Sequence, residues 1–120
     1  AGAALLRDRI RAIAAAGRLR VSETLAADLL QAAGRGTLLV LLDPPGQAPG
    51  PLADVMFDAV TAQILTPAGP GQPESAATPV PAANALRAGL TGLTALSAGE
   101  RHVLGEWLDR VIADGQPPQR

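Results

Sequence analysis

The feature that most constrains this chain is its near lack of aromatic residues, because Phe57 and Trp107 are the only two among 120 positions. Ala and Leu supply 25 and 18 residues, so any core must be built from small and aliphatic side chains. Such side chains let helices approach closely, but each buries little apolar area, at about 25 cal/mol per Å². We therefore expect helix packing with marginal stability as an isolated monomer, completed by an oligomer or a protein partner.

Composition also excludes several chemistries and locations. The absence of Cys excludes disulfides, thiolate nucleophiles and zinc sites built on sulfur. The longest run of large apolar residues, Leu38 to Leu42, is far shorter than the roughly 20 residues that cross a bilayer. Arg7, Arg9 and Arg11 interrupt the N-terminal apolar stretch, which a secretory signal keeps free of charge. These features predict a cytoplasmic protein without a membrane span.

Apolar residues at helical spacing predict a mainly α-helical fold of about five helices. The first helix is expected over 3–16, with Gly17 as its stop, and another over 52–65. Between them, Ser22 predicts the N-cap of a helix that ends at Gly34. Each of these patterns places one apolar face against a common core.

The C-terminal part, 82–115, is expected to form a helical hairpin. Leucines spaced by three and four residues predict a helix over 86–96. The following helix is the best defined, because Ser97 and Glu100 match a capping box and Gly115 ends the pattern.

Two segments interrupt the helical pattern. The apolar run 37–42 predicts one short strand, because it is too short for an independent helix. A lone strand needs a backbone partner, which is either 18–21 or the same run in a second copy. Residues 66–81 contain five Pro and two Gly and predict a flexible linker or long loop, within a single domain over 1–120, between an N-terminal part, 1–65, and the C-terminal hairpin.

Charge is distributed unevenly along the chain. Residues 1–20 carry five Arg and one Asp, whereas 21–120 carry five Arg and ten acidic residues. Arg7 and Arg11 share one face of the first helix, and with Arg18 and Arg20 they suggest an alternative function as a small nucleic-acid-binding regulator. The absence of Lys is typical of a G+C-rich, bacterial-like composition and favours no particular partner.

Catalytic motifs are not evident in the sequence. Ser22 and Ser97 are better explained as helix caps than as nucleophiles, and the single His102 lacks the companions of a metal site. An enzyme with an unusual carboxylate site would require Asp54 and His102 to meet in one pocket. We expect a protein that is not an enzyme, with no catalytic residues, no metal and no cofactor.

The segment from Leu96 to Val111 resembles the closing helix of many bacterial helical domains, including MarR-type winged-helix regulators. This resemblance covers under a fifth of the chain and rests on a generic capped amphipathic helix. Because the recognition helix and wing of those regulators are not identifiable upstream, the resemblance assigns no family.

The favoured interpretation is a non-enzymatic protein–protein interaction module, such as an adaptor, chaperone or assembly subunit, that acts through amphipathic helix faces. Leu104, Trp107 and Leu108 on the last helix are expected either to pack the core or to anchor a partner. Arg7 and Arg11 would add charged contacts. The partner is either another protein or a second copy of this chain.

Overall fold

A computed structural model of the chain describes residues 2–42, 50–66 and 79–116. Helices account for 79% of these residues, which confirms the prediction of a mainly helical fold with about five helices. The helices are α1 (Gly2–Ala15), α2 (Glu23–Leu42), α3 (Leu52–Ile64), α4 (Val80–Ala88) and α5 (Ala98–Asp114), with a short 3-10 turn at Leu90–Gly92.

The predicted strand over 37–42 is wrong, because these residues form the last turns of α2 and the described ranges contain no strand. Leu is a strong helix former, and each of Gly34 and Gly36 costs a helix only about 1 kcal/mol. Packing against α3 supports the extended helix. Gly34 therefore does not end α2, contrary to the prediction.

The predicted stop at Gly17 is confirmed. Gly17 adopts a left-handed backbone conformation with φ 73°, which residues with a Cβ rarely adopt. The Gly17 N–H donates to the Ala14 carbonyl at 2.9 Å, and the Arg18 N–H donates to the Ile13 carbonyl at 3.2 Å. This pair of hydrogen bonds is a Schellman motif, which satisfies carbonyls at the end of α1. The contrast with Gly34 shows that backbone conformation, not the presence of glycine, ends a helix.

The segment 18–21 is extended, but its partner differs from the prediction. Leu19 forms an isolated antiparallel bridge with Leu65, just after α3. The Thr66 N–H donates to the Arg18 carbonyl at 2.8 Å. The end of α3, rather than 37–42, therefore supplies the backbone partner of this segment.

Two apolar clusters form the core. The first joins α1, the segment 18–21, the beginning of α2 and the end of α3 around the fully buried Leu19. The second joins α4, the 3-10 turn and α5 around the fully buried Val80. The buried members of the two clusters are Ile10, Ala14, Leu19, Val21, Ala26, Ala27 and Ile64 in the first, and Val80, Ala83, Leu90, Leu108 and Ile112 in the second.

Asn84 on α4 connects the two clusters. Its side chain is only 2% exposed, and its Nδ2 donates to the Leu19 carbonyl at 2.9 Å and to the Val21 carbonyl at 2.8 Å. The Ser22 N–H donates to Oε1 of Gln116 at 3.0 Å, which attaches the C-terminal end to the start of α2. Because buried carbonyls need donors, Asn84 takes the place of a strand that would otherwise pair with this segment.

The predicted helix over 86–96 is wrong in its bounds. α4 begins at Val80, inside the predicted linker, and ends before Gly89, after which the chain makes the 3-10 turn. The hydrogen bonds change here to the 3-10 pattern, as in that from the Leu93 N–H to the Leu90 carbonyl at 3.1 Å, so the leucine pattern is divided between two short elements. Residues 67–78 of the predicted linker lie outside the described residues.

The start of α5 confirms the predicted capping box. The Glu100 N–H donates to Ser97 Oγ at 3.2 Å, and the Ser97 N–H donates to Glu100 Oε2 at 2.7 Å. These hydrogen bonds with Ser97 hold the pKa of Glu100 below its ordinary value. At the start of α2 only the first of these two hydrogen bonds has a counterpart, because the Leu25 N–H donates to Ser22 Oγ at 3.1 Å and Leu25 has no side-chain acceptor.

α5 ends at Asp114, just before Gly115 as predicted, and position 115 needs a glycine for a steric reason that the sequence does not show. Its φ is −79°, which any residue adopts. A Cβ at this position would lie only 2.2 Å from Cγ2 of Val80. Gly115 is therefore required by the close approach of the end of α5 to the start of α4.

Candidate interaction surface

The outer halves of α2 and α3 form a two-helix hairpin that extends away from the core. The buried residues of α2 are Ala26 and Ala27, near its beginning, and the buried residue of α3 is Ile64, at its end. The last turns of α2 and the first turns of α3 therefore lie away from the core. The Cα radius of gyration is 17.1 Å, against about 13 Å for a compact domain of 100 residues.

Large apolar side chains at the end of this hairpin are 56% to 69% exposed. On the last turns of α2 they occupy consecutive and near-consecutive positions, so they cover several sides of the helix. A helix that is apolar on all sides is ordinarily enclosed by protein or lipid. We call this set the apolar tip, and it consists of Leu38, Leu39, Val40, Leu42, Val55 and Phe57.

A groove of about 320 Å³ runs between the two helices of the hairpin. Gly34 forms part of its floor, and a Cβ added there would find no atom within 4 Å. Leu38 and Phe57 stand at its edges, both more than half exposed. The lining is almost entirely apolar and comprises Leu30, Ala33, Gly34, Thr37, Leu38, Leu41, Ala53, Met56, Phe57 and Val60.

Because α2 is one continuous helix of 20 residues, it is long and apolar enough to cross a membrane by length and composition alone. An 18-residue window has a mean hydropathy of 1.4, and 11% of it is buried. Core helices and signal sequences pass the same test. The first turns of α2 pack through Leu25, Leu29 and Leu30 against the first cluster, so this part of the helix belongs to the core.

On α5, the structure separates the three predicted contact residues. Leu108 is buried in the second cluster and Leu104 packs against it. Trp107 lies on the outer side, 58% exposed, with Val103 and Val111 one turn away in either direction. We call these three outward residues the Trp107 stripe.

The predicted basic face of α1 lies beside acidic residues of α2. Arg7 and Arg11 are both exposed and line a groove of about 260 Å³ together with Glu23 and Asp28. One carboxylate oxygen of Glu23, Oε1, is buried without a hydrogen-bond partner. This part of the surface therefore carries both signs of charge.

Arg18 and Arg20 are used differently from Arg7 and Arg11. Arg18 Nη2 donates to the Thr66 carbonyl at 3.5 Å, and Arg20 Nη1 donates to the Ala62 carbonyl at 3.2 Å. Cations at the C-terminal end of a helix satisfy free carbonyls and complement the helix dipole. These two arginines thus stabilise the end of α3.

One ion pair connects α4 to α5. Arg87 Nε donates to Asp109 Oδ1 at 2.6 Å, and Arg87 Nη2 donates to Oδ2 at 3.3 Å. The hydrogen bond to Asp109 raises the pKa of Arg87 above its ordinary value. Because both side chains are largely exposed, the pair positions the two helices and adds little stability.

The structure does not bring the two candidate enzyme residues into one of the grooves. Of four grooves in the described part of the chain, none is lined by Asp54 or His102. His102 is exposed on α5, with Nε2 3.7 Å from Oε1 of Glu106. Within 2–42, 50–66 and 79–116, no three His, Asp or Glu side chains form a group that could hold a metal ion.

The predicted strand over 37–42 hides the apolar tip, because a buried strand would enclose these side chains. The sequence signal for the tip is the run of consecutive Leu and Val residues. Such a run covers all sides of a helix, whereas on a buried strand it covers both faces. Asn84 was also missed, since a single Asn in a helix has no sequence pattern that marks it as buried.

No protein family, no curated protein and no solved structure matches this chain in the comparisons with known proteins.

Proposed function

We propose that this chain is a non-enzymatic protein–protein interaction module whose principal contact surface is the apolar tip. The observation that carries the proposal is the exposure of six large apolar side chains on two adjoining helices. Contiguous apolar patches of more than a few hundred Å² are rare on monomeric proteins and mark interaction sites. The composition agrees with this proposal, because a core without aromatic residues gains from burial against a partner.

The shape of the hairpin favours a polypeptide partner. The groove between α2 and α3 offers a hole about the size of several side chains, and Leu38 and Phe57 at its edges offer projections. Helical surfaces bind one another by placing such projections into such holes. Arg35, Asp54 and Asp58 lie on the same hairpin and provide charges with which a protein partner can set its orientation.

The Trp107 stripe supports a role as an adaptor or assembly subunit, because it offers a second apolar surface on a different helix. An exposed Trp flanked by aliphatic residues is a common anchor in protein interfaces. Arg110, next in sequence to Asp109 and also exposed on α5, adds a polar border.

The nucleic-acid alternative receives less support from the side chains. Two of its four arginines, Arg18 and Arg20, donate to carbonyls at the end of α3. The other two lie beside Glu23 and Asp28, whose charge opposes the approach of phosphates. An interaction through apolar helices remains our proposal.

Site-specific photocrosslinking tests the proposed function. A photoreactive amino acid replaces Leu42 on the apolar tip in one variant and Thr91 on the exposed 3-10 turn in the control. In cells that naturally express the protein, we expect a discrete protein adduct from position 42 and none from position 91. Equal crosslinking from both positions, or adducts only with lipid from position 42, would contradict the proposal.

A further inference from the structure

Resting on the proposed function, we propose that the partner of the apolar tip is a second copy of this chain, and that two hairpins pair about a twofold axis parallel to their helices to form a four-helix bundle. The pairing uses the side of the hairpin that carries Leu38, Leu42 and Phe57. A closed twofold dimer is the commonest assembly of identical chains, and it requires a surface that complements itself. The hairpin has both halves of such a surface.

The first complementarity is one of shape. The groove between α2 and α3 is open over Gly34, where no atom of the chain fills the place of a side chain. Leu38 and Phe57 flank this groove and project from it, 56% and 62% exposed. A second hairpin placed face to face offers its own Leu38 and Phe57 to the groove. The exchange fills both grooves at once, as in the packing of four-helix bundles.

The second complementarity is one of charge. At about 100° per residue, Arg35 lies on α2 within about 60° of Leu38, toward the outer edge of this face. Asp58 lies on the outer side of α3, about 100° beyond Phe57, where it borders Arg18 and Arg20 of its own chain. A twofold axis parallel to the helices places α2 of one copy over α3 of the other. Arg35 of each copy then meets Asp58 of its partner at the rim.

The levels of these two residues along the hairpin also agree. Arg35 precedes the end of α2 by seven residues, and Asp58 follows the start of α3 by six. At about 1.5 Å per residue, both lie about 10 Å from the end of the hairpin. A parallel pairing therefore brings them together without a shift along the axis, whereas an antiparallel pairing places α2 over α2 and Arg35 opposite no acidic residue of α3.

The remaining residues of the apolar tip define an internal control. Leu39 lies at the outer edge of the hairpin, about 40° from Arg35, whereas Val40 and Val55 point away from the pairing face, about 160° from Leu38 and Phe57 respectively. They stay exposed in the proposed dimer. Insertion of the hairpin into lipid would instead enclose all sides, so Leu38 and Val40 distinguish a twofold bundle from a membrane-inserted hairpin.

Sedimentation equilibrium of the purified chain from 1 to 200 µM tests the pairing. We expect a reversible monomer–dimer equilibrium with a dissociation constant in the micromolar range, since the contact area of two short hairpins is small. Leu38→Asp should raise the dissociation constant about 100-fold, because it buries an unpaired charge. Val40→Asp and Leu5→Asp, which place the same charge at exposed positions outside the pairing face, should change it less than about 3-fold.

A charge exchange tests the axis directly. Arg35→Glu and Asp58→Arg each place like charges at both rim contacts and should weaken self-association about 10-fold. Mixing the two variants restores both contacts, because each chain then supplies the charge its partner needs. We expect the mixed dimer to form about as tightly as the wild-type dimer, while Arg9→Glu on α1 serves as the charge-change control. Circular dichroism checks that each variant keeps the wild-type helix content, notably Asp58→Arg, which borders Arg18 and Arg20.

Several outcomes would overturn the pairing. The first is a wild-type chain that remains monomeric at 200 µM. The second is a Val40→Asp variant whose dimer is weakened as much as that of Leu38→Asp. The third is a mixture of Arg35→Glu and Asp58→Arg chains in which dimerisation does not recover. Flotation of the wild-type chain with phosphatidylcholine vesicles, lost in both Leu38→Asp and Val40→Asp, would assign the tip to lipid. A monomeric chain that still gives a position-42 adduct with a different protein would refute the second copy and leave the proposed function standing.

Discussion

The two ends of α2 show how the same helix serves opposite purposes. Near its start, α2 packs Ala26 and Ala27 into a core that also holds Leu19, and Asn84 supplies donors to the adjoining backbone. Near its end, α2 contacts α3 and leaves Leu38, Leu39, Val40 and Leu42 more than half exposed. We call the two apolar clusters and the segments that form them the base of the molecule. Small residues and polar contacts hold its packing in one arrangement. Within 2–42, 50–66 and 79–116, no residue covers the apolar tip, whose side chains are more than half exposed.

This comparison predicts that substitutions at the base cost far more stability than equivalent ones at the tip. The largest effect is expected for Asn84→Leu, which leaves the Leu19 and Val21 carbonyls without their buried donor. The loss should be about 3 kcal/mol in the free energy of unfolding, measured by urea denaturation. Gln63→Leu on the exposed side of α3 is the control and should change stability by less than about 0.5 kcal/mol. Equal effects from both variants would show that Asn84 does not join the two clusters.

Gly115→Ala should have the next largest effect. The new methyl group would lie 2.2 Å from Cγ2 of the fully buried Val80, so the end of α5 or Val80 must move. We expect a loss of about 2 kcal/mol, as for overpacked cores, measured by thermal unfolding. Shortening Val80 to Ala in the same chain should relieve the clash, so the two changes should not be additive.

Gly36→Ala should shift stability in the opposite direction. Gly36 lies within α2, away from the base, and a Cβ there would meet no atom within 4 Å. Because Ala favours a helix over Gly, we expect a gain of about 0.5–1 kcal/mol in the free energy of unfolding. Measurements below the dimerisation range keep the result independent of pairing. A loss instead would indicate that 37–42 does not form the continuous end of α2.

The smallest effect is the pH dependence of folding stability that Glu100 contributes at the start of α5. Hydrogen bonds with Ser97 lower the pKa of Glu100 in the folded state. Its ionised form therefore adds stability above the unfolded pKa, and this contribution is lost as the pH falls through the folded pKa. NMR titration should show a Glu100 pKa below its ordinary value, and Ser97→Ala should return it only part of the way, because the backbone N–H of residue 97, which is the larger cause, remains. An unchanged pKa in Ser97→Ala would exclude the Ser97 hydroxyl as a cause.

Much of the base could be predicted from sequence, because its signals are local. The Ser97 cap, the Gly17 stop and the existence of most helices follow from hydrogen bonds and dihedral angles within a few residues. The candidate surface could not be predicted in the same way. Which of Leu104, Trp107 and Leu108 point outward depends on how α5 packs against α4. The prediction of a strand over 37–42 is wrong because this run continues the helix that precedes it and packs against α3.

The sequence by itself determined that this protein is helical, that its core is aliphatic, and that Cys-based chemistry is excluded. Those conclusions rest on composition and on spacing along the chain, which do not depend on neighbours. Only the tertiary structure decided that α2 continues past two glycines, that Asn84 supplies donors to the segment 18–21, and that the six large apolar residues of the apolar tip remain exposed. These features depend on contacts between residues distant in sequence, because burial is a property of packing and not of the residue itself.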